Sequence, residues 1–268
     1  DMHKQEKTSL FFDIGTNGEL VLGNREWLLA GAGAAGPALE GYISRYGMRA
    51  GEGAIDSIKI QGEKLTFTTI GNQKAVGICG SGIIDLIAEM RLNGWINIAG
   101  ELNPEASSRI QKVDGEWAAI YASEEESATG KPLSFTQTDI MQYLDTKAAA
   151  YTMVECLLES AGISFDDLDK CFLSGAFPAH SDLESAITVG IFPDLPREKF
   201  RVLRNSSLEG ARMLLLNSSR LEEIRDLLER IYCVQFASIP DFLVRMQAAK
   251  FIPHTDMNRY PTIQGKLR

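Results

Sequence analysis

Asp13 closes the apolar run LFFDI (residues 10–14) and is followed at once by Gly15, Thr16, Asn17, Gly18 and Glu19. Those residue types in that order describe a phosphate site. A carboxylate at a strand end lies at the edge of a sheet. Glycines in a tight turn leave backbone N–H groups bare, so that a phosphate can approach where a side chain would block it. An acid beside a phosphate needs a cation between them, which points Asp13 toward Mg²⁺, held through water. The same letters would also make a plain hairpin with an acidic flank, since Asn-Gly between apolar runs favours a type I′ turn.

Four more glycine-bearing turns carry similar chemistry. In AGAGAAGPALEG (30–41), small residues around Gly31, Gly33 and Gly36 allow close backbone approach, and a helix start ahead of Glu40 suits an anion or a ribose edge. GICGSG (77–82) offers Gly80 and Ser81, with Ser81 expected as a helix N-cap. LSGAFPAHSD (173–182) places Gly175, Ala176 and Phe177 after a strand. In NSSLEGA (205–211), Asn205 would bond a purine or cap the next helix. Each turn alone is equally a packing or capping device. Several at strand ends, converging on one sheet edge, are what a nucleotide site needs. His180 has no Cys or His neighbour in sequence that would make it a metal ligand, and reads as a turn histidine.

Gly31, Gly33 and Gly36 also spell G-x-G-x-x-G, with Asp56 twenty residues on. A dinucleotide fingerprint, however, sits between a parallel strand and its crossover helix. Here the runs 10–14, 20–23 and 26–30 are separated by turn signals too short for a crossover and predict an antiparallel meander. After a short helix over 38–46, residues 54–60 and 64–70 alternate as a second hairpin about Gly62. A Rossmann site is rejected on that ground.

The rest of the chain supplies the frame. A helix is expected over 82–93, a hairpin within 109–122, an exposed loop over 123–132 and the longest helix over 134–163, opened by a Thr136/Asp139 capping box and closed by Gly162. Thereafter strands at 170–175, 201–204 and 232–236 alternate with helices at 183–190 (capped by Ser181 and Glu184), 207–216, 220–231 and 240–251. Three antiparallel strands followed by strand–helix alternation is a mixed α/β order matching the ribonuclease-H-like, actin-like ATPase fold.

The 268 residues carry a net charge of −9 and a pI near 5.0. Phosphate neutralisation by Lys and Arg is thus disfavoured, and nucleic acid is not an expected partner. Cys79, Cys156, Cys171 and Cys233 match no metal or redox spacing. Cys156, Cys171 and Cys233 sit in apolar runs and are expected as reduced core thiols. With no signal segment and no membrane-length apolar run, a cytoplasmic location is expected. The chain starts at Asp1, and the expectation is a C-terminal piece of a longer protein.

The segments FFDIGTNGELVLGNREWLLAGAGAAGPALEG, GMRAGEGAI, GICGSGIIDLIAE and FLSGAFPAHSDLESAITVGIFP, in this order, resemble the C-terminal actin-like ATPase (ASKHA) region of the reductive activators of corrinoid-dependent methyltransferases. The resemblance runs from about residue 9 to FIPHTD (251–256). It implies a single domain over 1–268 with a hairpin and helix insertion at about 50–132. It also implies a longer protein in which a [2Fe-2S] ferredoxin-like domain passes an electron to an inactive Co(II) corrinoid protein, giving Co(I) with the help of ATP and Mg²⁺. By position, Asp13 to Glu19 correspond to the second phosphate element, Gly31 to Glu40 to the loop–helix beside it, and Gly175 to Phe177 to the adenosine-side turn. This sequence departs from the family at Ala176 and Pro178, where glycines are usual, and at Ala32 and Ala34, where a cysteine is usual. The iron–sulfur cysteines and the earlier DIGT-like element are not in these residues. The chain alone is therefore expected to bind ATP weakly without turnover.

The implied partner is a corrinoid (cobalamin-containing) protein or its methyltransferase, with a homodimer also compatible. Two other readings remain at this level: a small-molecule kinase of the acetate or sugar kinase type, against which the single DIGT argues, and a non-catalytic dimerisation or docking module of the same fold.

Overall fold

The computed structural model describes residues 2–15, 17–34 and 41–267. In chain order come β1 (Ser9–Ile14), β2 (Asn17–Gly23), β3 (Leu28–Ala34), β4 (Ala54–Gln61), β5 (Lys64–Thr69), β6 (Gly77–Ile78) and α1 (Gly80–Leu92). Then follow β7 (Ile110–Val113), β8 (Glu116–Ala122), β9 (Leu133–Thr136), α2 (Gln137–Ser160), β10 (Lys170–Ser174), α3 (Ala176–His180) and α4 (Leu183–Val189). The last third holds β11 (Phe200–Val202), α5 (Ser206–Leu216), α6 (Arg220–Arg230), β12 (Ile231–Val234), α7 (Phe242–Ala249) and α8 (Pro261–Gln264). The elements fall into two compact units: Asp1–Ala34, Thr152–Ala179 and Leu195–Phe242 make the first, and Ala35–Tyr151, His180–Asp194 and Leu243–Arg268 the second.

The first unit is built on a mixed six-stranded sheet in the order β11-β10-β1-β2-β3-β12. The expected meander is there: β1, β2 and β3 are antiparallel, while β10 joins β1, β11 joins β10, and β12 joins β3, all in parallel. Period-two alternation puts Leu10, Phe12, Ile14, Leu20, Leu22, Cys171 and Leu173 in the core. The glycines of β3 belong to that packing. A Cβ on Gly33 would lie 2.4 Å from the Met153 sulfur, and one on Gly31 would lie 2.5 Å from the Phe236 ring. The sheet surface is small there so that a thioether and an aromatic ring can lie against the backbone.

In the second unit two three-stranded sheets form, in the orders β5-β4-β6 and β7-β8-β9. The expected hairpins about Gly62 and within 109–122 are both present, the second turning at Asp114-Gly115, with positive φ at all three residues. Strand β6 pairs with only the start of β4. Helix α1 covers the remaining edge with side chains one turn apart. Asp85 accepts from the Ile58 N–H at 3.2 Å, Glu89 from the Ile60 N–H at 3.0 Å, and Asn93 donates to the Ile60 carbonyl at 3.1 Å. The i, i+4, i+8 ladder replaces a neighbouring strand and blunts an edge that would otherwise be open.

Asp85 is nearly fully buried, and burial raises its carboxyl pKa above the usual carboxylate value, against the pull of its hydrogen bonds and of Lys59. A raised folded-state pKa means that the folded form binds the proton more tightly. The resulting stabilisation is complete below the unfolded pKa and is lost as pH rises through the folded one. Urea midpoints of the wild type relative to Asp85→Asn are therefore expected to fall progressively from pH 4 to pH 7. A flat difference would show that Asp85 ionises as freely in the fold as in the unfolded chain.

Several sequence expectations are corrected. Asn17 and Gly18 are not the hairpin turn: both lie in β2, where Gly18 pairs with Ile14 and Gly33, and the chain reverses before Asn17. Gly31 and Gly33 lie inside β3 rather than in a turn, because the strand starts later and runs longer than expected. Residues 41–46 form turns rather than the end of a helix, and 35–40 lie outside the described residues. Ser81 is inside α1, whose N-cap is Cys79. Helix α4 is capped by Asp182, which accepts from the Ser185 N–H, and not by Ser181. Cys156 and Cys171 are buried as expected, with the Cys171 thiol pushed up to about 12 by burial, but Cys233 is exposed on β12. The Thr136/Asp139 capping box forms as read, with reciprocal bonds of 2.9 and 3.1 Å. Among the described residues no helix is long and apolar enough to cross a membrane.

Candidate functional site

The carboxyl ends of the parallel strands β1 and β10 bring Asp13 beside Ser174, its register partner. The chain leaving β11 adds the start of α5. One oxygen of Asp13, Oδ2, is within hydrogen-bond reach of the hydroxyls of Ser174 at 3.1 Å, Ser206 at 3.2 Å and Ser207 at 3.4 Å. Ser174 and Ser206 also touch each other at 2.5 Å, and the Ser206 N–H donates to Ser174 Oγ at 3.3 Å. Each hydroxyl has one proton, so of Ser174 and Ser206 one donates to the other across the short contact and the other donates to Asp13 Oδ2, a chain that ends on a single carboxylate oxygen. The positive dipole end of α5 favours a negative charge there, while two of its first-turn N–H groups, those of Ser206 and Leu208, are already taken by Ser174 Oγ and Asn205 Oδ1.

Gly175 shapes the other side of the site. Its φ is +105°, a region that side chains rarely adopt, and its N–H bonds the Arg204 carbonyl at 3.0 Å. A Cβ there would lie 2.3 Å from the Ile14 carbonyl oxygen and 3.1 Å from Asp13 Oδ1. Only glycine lets the β10–α3 corner close against β1. Beyond it, Ala176 and the buried Phe177 open α3, and Pro178 takes the third position, within the first turn, where its missing N–H costs no helical bond.

Asn205 is the N-cap of α5: its Oδ1 accepts from the Leu208 N–H at 2.9 Å. Of the two roles read for it, this is the one the fold uses. Glu19 is exposed on β2, directly across from Asp13. The Gly15 N–H bonds the Asn17 carbonyl at 2.9 Å and closes the reversal. Thr16, Gly36 and Glu40 lie outside the described residues. Gly80 and Ser81 belong to the second unit, where Ser81 Oγ lies 3.4 Å from Cys79 Sγ. His180 is the last residue of α3.

Sequence reasoning missed Ser174, Ser206 and Ser207. A serine before a glycine and two serines after a helix cap are common, and nothing local marks them. The signal lies in the parallel register that sets Ser174 beside Asp13.

Chemically, the cluster fixes a carboxylate at the carboxyl edge of a mostly parallel sheet, where α/β folds place ligands. Asp13 Oδ2 is committed to the serines, while Oδ1 faces Gly175. Among the described residues no group of three or more His, Cys, Asp or Glu is placed to hold a metal ion. A lone carboxylate fits Mg²⁺ of the kind that keeps most of its water and is shared with a phosphate, rather than a caged ion.

Comparisons with known proteins agree on one relationship. The family model described as the C-terminal domain of RACo, the ASKHA domain, matches residues 7–264. The corrinoid activation enzyme RamQ of Eubacterium limosum is 32% identical over 222 residues, covering 80% of this chain and 37% of that protein. The [Co(II) methylated amine-specific corrinoid protein] reductase of Methanosarcina barkeri is 26% identical over 249 residues, covering 85% of this chain and 42% of that one. A solved structure of a reductive activator for corrinoid,iron-sulfur protein superposes with a TM-score of 0.90 at 35% identity, over 97% of this chain and 42% of that one. The chain thus spans about two fifths of the length of the relatives it matches.

Proposed function

The chain belongs to the family of the C-terminal ASKHA domain of RACo, and from that premise we propose that it is the nucleotide-binding and partner-docking portion of an ATP-dependent reductive activator. The longer protein would pass an electron from a [2Fe-2S] cluster outside this chain to a Co(II) corrinoid protein, yielding Co(I). The corrinoid protein is the partner in this reading, with its methyltransferase and a second copy of the chain as further contacts. The activities in the relatives' names support the reaction class.

The observation that carries the site is the Asp13 carboxylate, anchored by three serine hydroxyls at the ends of β1 and β10. In this reading Asp13 Oδ1 would hold a hydrated Mg²⁺, which would supply positive charge against the phosphates. The serines hold the carboxylate in one rotamer. The backbone at Gly15, Asn17 and Gly18 would admit the phosphates, and Gly175 to Phe177 would face the nucleoside. Gly33 packs against Met153 and Asn205 caps α5, so neither is enlisted, nor are Gly36, Glu40, Gly80 and Ser81.

Isothermal titration with Mg-ATP tests the reading. The wild-type chain is expected to bind measurably. Asp13→Ala should weaken binding at least tenfold, about 1.4 kcal/mol, and Ser206→Ala should weaken it by less, because two hydroxyls still hold the carboxylate. Equal binding by wild type and Asp13→Ala would remove Asp13 from the site.

A further inference from the structure

A second surface stands out in the second unit by composition. The loop 41–49 has two arginines and no acid in a chain of net charge −9. It presents Tyr42, 49% exposed, with the Arg49 guanidinium 5.7 Å from its ring centre, and Tyr46 with Arg45 at the same distance. Arg45 reaches Asp114 at the tip of the β7–β8 hairpin, at 3.3 Å. On that hairpin Trp117 is 38% exposed, paired across the strands with Lys112, whose ammonium lies 5.4 Å from the indole. Three cations and two exposed large aromatics thus occupy adjoining elements joined by one exposed ion pair.

The loop is also fixed in shape. A Cβ on Gly41 would lie 2.7 Å from the Met48 carbonyl oxygen, and Gly41 and Gly47 meet backbone to backbone. The Met48 N–H bonds the Ile78 carbonyl, and the Ile78 N–H bonds the Tyr46 carbonyl, both at 2.9 Å. The side chains are therefore displayed from a backbone pinned to β6, and little ordering remains to be done on binding.

We infer that Tyr42, Arg45, Arg49, Lys112 and Trp117 form a docking surface for a carboxylate-rich protein surface. Exposed Tyr, Trp and Arg are the residue types that dominate protein–protein binding energy. A guanidinium within 6 Å of an aromatic ring is attracted to its face, and each still has further N–H groups to offer a carboxylate, Arg45 besides the one it gives Asp114. Charge complementarity sets the occupant. The Arg45–Asp114 pair is exposed on both sides, and such surface ion pairs contribute little, so a partner's carboxylate exchanges with it at small cost. The inference deepens the partner-docking half of the proposed function. It does not involve Asp13 or the nucleotide.

Binding to immobilised poly-L-glutamate, measured by biolayer interferometry at 50 and 300 mM NaCl, tests it. Saturable binding is expected at low salt, weaker at high salt. The double variant Arg45→Glu/Arg49→Glu should weaken it at least tenfold. Lys64→Glu/Lys131→Glu changes net charge by the same amount at exposed sites outside this surface and should leave binding within twofold. Trp117→Ala should lower affinity while keeping the salt dependence. No binding, equal losses in the two double variants, or equal binding to duplex DNA would each overturn the inference. Mg-ATP titration of Arg45→Glu/Arg49→Glu should match wild type, so failure here and failure at Asp13 are read separately.

Discussion

Replacing Lys147 by methionine is expected to destabilise the protein by about 3–5 kcal/mol, which at this chain length is a fall in Tm of roughly 10 °C. Lys147 lies on α2 with no exposed surface. Its ammonium donates to the carbonyl oxygens of Ala249 and Pro253 at 2.5 Å and of Phe251 at 2.7 Å. The carbonyls come from the end of α7 and the bends that follow it, and they converge so that three N–H groups meet three acceptors. The intervening residue is used as well: the Ile252 N–H bonds Ile98, and its carbonyl accepts from Arg91. Lys250 adds an ion pair to Asp145 of α2.

Burial pushes the Lys147 pKa well below the usual lysine value, while the three carbonyls oppose that push by favouring a group with three donors. Methionine fills the space but supplies no donor, leaving three polar oxygens buried without partners at about 1–3 kcal/mol each before relaxation. Arginine should fare little better, since a planar fork cannot send three N–H groups out from a single atom to three carbonyls gathered around it. Gly190, which ends α4 at φ +87°, closes the cage: a Cβ there would lie 2.2 Å from the Pro253 oxygen and 3.0 Å from Lys147 Cε. Thermal unfolding followed by circular dichroism checks the prediction. A loss below about 1 kcal/mol, the net worth of one ordinary hydrogen bond, would mean that the segment finds other donors.

Gly175→Val is expected to cost about 2–4 kcal/mol and to abolish Mg-ATP binding. The positive φ alone costs a β-branched residue about 1–3 kcal/mol. The Cβ also collides with the Ile14 carbonyl, so β1 and β10 must part at the end that carries Asp13 and Ser174. Gly115→Val is the control. It has a similar φ of +89° with nothing within 4 Å of its Cβ, so it should show the conformational cost alone and leave binding intact. Urea midpoints and Mg-ATP titrations of both variants decide the matter. Equal losses would show that the corner at Gly175 is no more constrained than an open turn.

Much of this was legible in the sequence. The meander, the hairpins about Gly62 and within 109–122, the strand–helix alternation and the capping box at Thr136 follow from apolar period and turn chemistry, which act over a few residues. The motifs in their order carried the family resemblance. The errors fall where a local signal competes with packing. Asn17-Gly18 has turn chemistry but is drawn into β2 by pairing with β1 and β3. The glycines at 31 and 33 suggest a turn, yet Met153 and Phe236 need them within a strand. Ser81 and Ser181 are good caps by type, but Cys79 and Asp182 hold those positions.

The sequence by itself determined the mixed α/β class, the order of the elements and the place of Asp13 at a strand end, because period, turn residues and caps are written in neighbouring letters. Only the tertiary structure decided what surrounds Asp13 and what holds Lys147. Ser174 reaches Asp13 across 161 positions, and Lys147 meets its carbonyls across 102 to 106. A hydrogen bond acts over about 3 Å in space, and no spacing along the chain encodes which distant groups the sheet register and helix packing bring within that reach.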